Sequence, residues 1–303
     1  MEPQEFSFWD EDGDAAVTVY NVFPGVQLAY HSVHMETLHI DHVMEGNLIE
    51  IHHCREGRIE QQFEDHFFYL TPGDLSIAKK KRAINAYHFP LRHYHGITIG
   101  IDMDAVSDAF RQMLDEIGVQ PDGVAEKLCA GSPCFIFRAE KQIEHVFAEL
   151  YSVPSEIREG YFKVKILELF LVLSRMHQEH NQLPVCMLSK ANVSIAHRAA
   201  AYLSAHMDEH VTIPELSRML GVSQSHLKTI FKGVYGVPLF SYTRIQKMQA
   251  AGHELIHTDK STAEIAEAFG YINTSKFASA FQAVMGESPS EYRRAHRRKR
   301  LQA

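Results

Sequence analysis

Cysteine is scarce in this 303-residue chain: Cys54, Cys129, Cys134 and Cys186 stand alone, with no CxxC pair among them. That spacing excludes a disulfide scaffold and a thiolate zinc ribbon. Long apolar runs are missing as well. The most apolar stretch, ILELFLVL from Ile166 to Leu173, falls far short of the about 20 residues a membrane span needs, so no membrane partner is expected. The start, MEPQEFSFWDEDGD, is acidic and aromatic and lacks the basic-then-apolar order of a secretory leader. Together these features place the expected site of action in a reducing cytoplasm. A chain-wide positive charge is also absent, because the net charge is −8. Its distribution is uneven: residues 1–189 hold 15 Lys and Arg against 29 Asp and Glu, a net of −14, whereas residues 190–303 hold 15 against 9, a net of +6. An acidic segment is joined to a basic one.

The basic segment writes one motif twice. Glu215, Leu216 and Gly221 recur as Glu264, Ile265 and Gly270, and Ser225, Leu227, Phe231, Gly236 and Tyr242 recur as Ser275, Phe277, Phe281, Gly286 and Tyr292. Two copies are too few for a solenoid, so the pair reads as a tandem supersecondary unit. In the first copy Thr212 caps a helix, Pro214 lies in its first turn and Glu215 completes a capping box. Gly221 supplies the stop and Ser223 caps a second helix, whose Leu227, Ile230 and Phe231 form a buried stripe. This is a helix-turn-helix. Ser223, Gln224, Ser225, Lys228, Thr229 and Lys232 are left on the outer face. In the second copy the outer set is Asn273, Thr274, Ser275, Lys276, Ser279 and Gln282. Small alcohols, amides and lysines suit base edges and phosphates better than the Glu–Lys pairs of an idle solvated face. Between the copies, Ser241 to Thr258 reads as one linker helix, and its length of about 22 Å lets two such outer faces lie about one DNA turn apart.

The stretch SKFASAFQAVMGESPSEYRR, Ser275 to Arg294, with the preceding EIAEAFGYIN, closely resembles the AraC/XylS signature of bacterial transcription regulators. The resemblance runs from about residue 191 to residue 294 and includes both motifs, the linker helix and a terminal turn in which Ser288, Pro289 and Glu291 repeat the capping logic. Lys247 stands where the family usually has Arg, and Gly252 inside the linker helix costs about 1 kcal/mol relative to Ala. The tail RRAHRRKR, Arg293 to Arg300, reads either as a solvated helix end or as a source of phosphate contacts.

The N-terminal part reads differently. From Val17 to about Asp102, short β-type runs such as AVTVYNVF, NLIEIHHC, FFYLTPGDLSI and HYHGITIGI alternate with turn signals, which suggests a barrel or sandwich. YLTPGDLSI resembles the cupin-like sensor barrel that many AraC-type regulators carry; the resemblance implies a small-molecule effector and helices that dimerise. Ten of the 20 histidines precede residue 96. Alternation puts His93 and His95 on one face with Ile97, Ile99 and Ile101, hence toward the lumen, and puts Glu50 and His52 on a common face with Cys54. These four, Glu50, His52, His93 and His95, are the candidate effector-binding residues. Converging imidazoles and a carboxylate also suit a divalent metal. The HxH followed at short range by a carboxylate, typical of enzymatic cupins, is absent, because Gly96 and Ile97 follow His95; no metal or other cofactor is therefore assigned. KKKR, Lys79 to Arg82, reads as a solvated loop.

Helical patterns resume at Asp104–Gly118, Ala139–Tyr151 and Arg158–His180. In the last, Phe162, Ile166, Leu169, Leu173 and Met176 alternate at spacings of four and three, the pattern of a coiled-coil seam, and Tyr161, Leu167, Phe170 and Leu171 widen the stripe; the helix reads either as plain core or as one that packs on the barrel and also pairs between subunits, and a homodimer is expected. The expected organisation is α+β and multidomain: an effector-sensing and dimerisation domain over 1–183 with a cupin-like β-barrel at 17–102 and helices at 104–180, a linker at 184–191, and an all-α domain at 192–303 with two helix-turn-helix motifs joined by a linker helix. The expected function is sequence-specific binding of double-stranded promoter DNA by a non-enzymatic transcription regulator. Its partners would be an effector and, if it activates, RNA polymerase. The alternative is a metal-dependent cupin-type enzyme fused to a DNA-binding domain.

Overall fold

The computed structural model describes residues 2–10, 13–40, 45–63, 66–82, 86–130, 134–176, 188–209 and 211–300. The chain forms two compact units, Met1–Met187 and Leu188–Ala303. In the first, an antiparallel sheet of seven strands runs in the order β1 (Gln4–Asp10), β2 (Gly13–Phe23), β3 (Val26–Val33), β10 (Tyr94–Asp102), β5 (Glu45–Gly57), β8 (Asp74–Arg82) and β11 (Cys134–Arg138). Two further antiparallel pairs, β6 (Ile59–Phe63) with β7 (His66–Leu70) and β4 (Thr37–His39) with β9 (Ala86–His88), lie in this unit.

The large sheet is covered on both faces. One face carries Tyr20, Leu28, Ile49, Ile51, Ile77, Ile97, Ile99 and Ile101 and packs against four helices, α1 (Asp108–Glu116), α2 (Pro121–Leu128), α3 (Lys141–Leu150) and α4 (Arg158–Arg175). The other face carries Val17, Val33, Cys54, Ala78, Tyr94 and Ile136 and packs against Ile59, Phe68, Leu70, Leu38 and Tyr87 of the small strand pairs. Between the helical patterns expected at 104–118 and 139–151, the chain gives β11 to the sheet edge. CFIFR has no 3.6-residue period, and its first four residues are buried.

Two expectations change here. Phe162, Ile166, Leu169, Leu173 and Met176 do not form an exposed seam: each is at most 6% exposed within the N-terminal core. Their four-three spacing matches the groove formed by the sheet and α1–α3, an intramolecular surface with the periodicity of a coiled-coil partner. Lys79 and Lys80 lie on β8 rather than in a loop, and Lys80 is buried against Glu50. Residues 177–187, which include most of the expected linker's surroundings and Cys186, lie outside the described residues.

The second unit is helical. Helix Lys190–Ala205, capped by Ser189, begins inside the expected linker. Two helix pairs follow, Ile213–Leu220 with Gln224–Tyr235 and Thr262–Ala268 with Thr274–Met285. The 19-residue helix Leu239–His257 separates them, and Pro289–Arg300 closes the unit. Capping chemistry explains the boundaries. Thr212 with Glu215 and Ser261 with Glu264 each form a capping box, and Ser288 and Glu291 exchange the same pair of bonds. Gly221 and Gly270 turn the chain at φ of 71° and 78°, where a Cβ would be strained.

Candidate nucleic-acid interface and sensor-side polar clusters

In the C-terminal unit each helix pair buries an apolar stripe and exposes a polar one. Leu227, Ile230 and Phe231 are buried under helix Gln224–Tyr235, and Phe277 and Phe281 are buried under helix Thr274–Met285 against Met248, Leu255 and Ile265. All twelve sequence-derived candidates, Ser223, Gln224, Ser225, Lys228, Thr229, Lys232, Asn273, Thr274, Ser275, Lys276, Ser279 and Gln282, are exposed. Their hydrogen bonds divide them. Ser223 accepts from the His226 amide, and Asn273 accepts from the amides of Ser275 and Lys276, so both oxygens are occupied as N-caps. The hydroxyls of Thr229 and Ser279 donate back to the carbonyls of Ser225 and Ser275, each at 3.0 Å, which leaves their oxygens as acceptors. The side chains of Gln224, Lys228, Lys232, Thr274, Lys276 and Gln282 make no hydrogen bond or ion pair among the described residues, so they are available to a partner.

Helix Leu239–His257 does more than separate the pairs. Lys247 donates to the Phe269 carbonyl at 3.1 Å, one of the orphan acceptors ending helix Thr262–Ala268. Burial pushes its ammonium below the usual lysine range, against the opposing pull of Asp208. A Cβ on Gly252 would stand 3.2 Å from Met285 Cε and 3.3 Å from Tyr292 Cε1. The glycine therefore admits close packing, which offsets its helix-propensity cost. Arg293 donates to the carbonyls of Leu255 and Lys260, so the first residue of the basic tail is a clamp rather than a free cation. The side chains of residues 296–300 lie outside the described residues. Sequence reasoning passed over Arg244. It is exposed and borders a cleft of about 550 Å³ together with Gln224, Lys228 and Lys247, one turn before Lys247 on the same helix.

In the N-terminal unit the four candidate effector residues separate into two groups. Glu50 and His52 face the layer between the large sheet and the small strand pairs. There His52 Nε2 lies 3.3 Å from Glu50 Oε2, Nδ1 lies 3.0 Å from Thr98 Oγ1, and Lys80 reaches the same Glu50 oxygen. Burial works to raise the Glu50 carboxyl, but the bond to His52 and the Lys80 ammonium override it and hold it at about 2. Burial lowers His52 despite Glu50. A neutral His52 donating from Nε2 to the carboxylate and accepting at Nδ1 from Thr98 satisfies every group. His53, on the opposite face, stacks on Phe147 with centroids 4.2 Å apart and planes 6° apart, and burial lowers it to about 4.

His93 and His95 do not enter that layer, which corrects their assignment to the lumen. His95 shares the helix-covered face with Ile97, Ile99 and Ile101, but stays half-buried outside their apolar cluster. Both rings are half-buried and cluster with the exposed His34. His95 also lines a cavity of about 380 Å³ with Tyr30, Ser32, Arg55, Glu56 and Tyr151. Arg55 is the residue bulged out of register in β5, and its guanidinium sits 4.4 Å from the Tyr151 ring centre.

Residues 216–295 match the protein family described as a helix-turn-helix domain. The C-terminal unit carries an AraC-type helix-turn-helix domain. Among curated proteins, the chain is 31% identical over 100 residues to a probable thc operon regulatory protein of Rhodococcus erythropolis, covering 32% of this chain and 30% of that protein. It is 32% identical over 120 residues to YisR, an uncharacterized HTH-type transcriptional regulator of Bacillus subtilis, covering 40% and 42%. The chain thus spans less than half the length of either relative. A solved structure, the DNA-binding domain of AdpA in complex with a target DNA, aligns at 23% identity and a TM-score of 0.34 over 36% of this chain and 97% of that one. The matched residues include all twelve exposed candidates. The acidic unit lies outside the residues that the family match covers. No helix among the described residues is long and apolar enough to cross a membrane.

Proposed function

We propose that the chain is a sequence-specific, DNA-binding transcription regulator whose acidic unit senses a small molecule. The observation that carries this reading is the repetition of one exposed surface: two capped helices, Gln224–Tyr235 and Thr274–Met285, each presenting amides, hydroxyls and lysines over a fully apolar underside. On this reading both are recognition helices of helix-turn-helix motifs that enter successive major grooves. The 19-residue linker helix spans about 28 Å, and its bonds to Phe269 and Arg293 stiffen the spacing. Gln224 and Thr274 read base edges, Thr229 and Ser279 accept from base amino groups, and Lys228, Lys232 and Lys276 neutralise phosphates.

The N-terminal unit acts in this proposal as a cupin-like sensor. Its effector site is the cavity beside His95, whose size falls within the about 300–1,000 Å³ of small-molecule sites. Arg55, Glu56 and His95 offer polar contacts and Tyr30 and Tyr151 apolar walls, while the Tyr151 hydroxyl has no partner among the described residues. Glu50 and His52 belong to a satisfied internal network with Lys80 and hold the sheet from inside. Effector binding shifts a population between arrangements with different DNA affinity. Genome-wide mapping of bound DNA tests the regulatory reading: enrichment at a few promoters sharing a two-part site supports it, and uniform or no enrichment overturns it. Screening ligands at promoters so identified, with Arg55→Ala as the control, tests the cavity.

A further inference from the structure

Three imidazoles at the rim of the N-terminal unit play no part in the DNA-binding reading. His34 directly follows β3, His93 precedes β10 and His95 is its second residue. Nδ1 of His93 stands 3.4 Å from Nδ1 of His34. Ring centroids are 5.4 Å apart for His34 with either partner and 4.9 Å for His93 with His95. One ring nitrogen from each residue lies within 4.8 Å of the other two. Two imidazole nitrogens bound tetrahedrally to one ion at about 2.0–2.1 Å lie about 3.4 Å from each other. The His34–His93 pair already stands at that separation, and His95 closes by side-chain rotation.

We infer that His34, His93 and His95 form a binding site for a divalent late first-row transition ion of the zinc class, with at least one coordination position left open. Three imidazoles without carboxylate or thiolate ligands suit Zn²⁺ and its neighbours rather than Mg²⁺ or Ca²⁺. Glu56 supplies the outer support such sites use. Its Oε2 lies 3.6 Å from His93 Nε2, the ring nitrogen that does not face His34, so one imidazole is poised to bind through Nδ1 while donating from Nε2 to a carboxylate.

The backbone beneath the rings is pinned. His34 N donates to the Asp14 carbonyl at 2.8 Å, and the His93 carbonyl accepts from Arg58 N at 3.3 Å. The chain passes so close that a Cβ on Gly13 would stand 2.0 Å from the His34 oxygen, and a Cβ on Gly57 would stand 1.9 Å from the His93 oxygen. Arg92, immediately before His93, has a φ of 53° and is the one non-glycine residue with positive φ among those described. Such a conformation persists where its surroundings hold it, and here it aims His93 at His34. Because His95 also lines the cavity with Arg55 and Tyr151, the open position borders that cavity, where an anionic ligand would complete the coordination.

Equilibrium dialysis of the full chain against Zn²⁺ tests the site. The competing surface pair, His253 and His257, stacks at 3.9 Å and serves as the control. One tight equivalent is expected in the wild type and in the His253→Ala/His257→Ala variant. It should weaken at least 100-fold in His93→Ala/His95→Ala, and about 10–100-fold in Glu56→Gln, the loss typical of an outer-shell partner. X-ray absorption of the zinc-loaded wild type should show three imidazole nitrogens and no sulfur, a result that does not depend on any variant folding. Absence of a tight equivalent, its retention in the His93→Ala/His95→Ala protein, or a first shell with sulfur or fewer imidazoles overturns the inference. DNA affinity is not read in any arm, so this outcome is separate from that of the regulatory proposal.

Discussion

Lys247 reaches from helix Leu239–His257 to the Phe269 carbonyl, 3.1 Å away, and so ties the helix between the two helix pairs to the end of helix Thr262–Ala268. The bond supplies a donor to an orphan carbonyl and a cation to a helix C-terminus. Lys247→Met keeps the stem and removes both. It should cost about 1–2 kcal/mol, moderated because the ammonium is only half-buried, and this is measurable as a lower urea midpoint in the full chain. Affinity for a two-part site should fall more than affinity for either half.

Acid should unfold the N-terminal unit through its buried imidazoles. Burial holds His53 at about 4 and His52 below the ordinary histidine value, so the unfolded chain binds more protons than the folded one once pH drops below about 6.5. Stability is then lost as pH falls from about 6.5 toward 4, at up to about 1.4 kcal/mol per pH unit for each ring. His53→Phe, which keeps the stack on Phe147, should flatten that slope by one ring's share in denaturant titrations at a series of pH values.

Leu169 is fully buried in the N-terminal core. Leu169→Ala should cost about 2–5 kcal/mol of stability while leaving subunit stoichiometry unchanged, with sedimentation and thermal unfolding as the two readouts. A change of oligomeric state without loss of stability would return the α4 stripe to an intersubunit role.

The C-terminal motifs were legible because their signals are local. Thr212 with Glu215, Ser288 with Glu291, and Gly221 each act within four residues, and such chemistry does not depend on distant packing. The N-terminal unit was less legible because its large sheet is covered twice. Alternation finds the more apolar face of a strand, and in β10 that face, with Ile97, Ile99 and Ile101, lies under helices rather than toward the inner layer. Alternation alone therefore sends His93 and His95 toward the lumen. Glu50 and His52 were grouped correctly with Cys54 because the period itself was sound. The same limit hid Lys80: KKKR reads as solvated until its partner Glu50, 30 positions earlier, is brought alongside by β5 and β8.

If helices Gln224–Tyr235 and Thr274–Met285 both read DNA sequence, quantitative binding to a genomically selected site at several salt concentrations separates their base contacts from their phosphate contacts. Gln224→Ala and Thr274→Ala should each cost about 1–3 kcal/mol on the selected site and little on random DNA. Lys228→Ala, Lys232→Ala and Lys276→Ala should weaken both and flatten the salt slope by about one unit each. Footprints should show two protected patches about one helical turn, roughly 10 base pairs, apart. Equal losses on selected and random DNA for Gln224→Ala and Thr274→Ala, or a single protected patch, would rule out two sequence-reading helices.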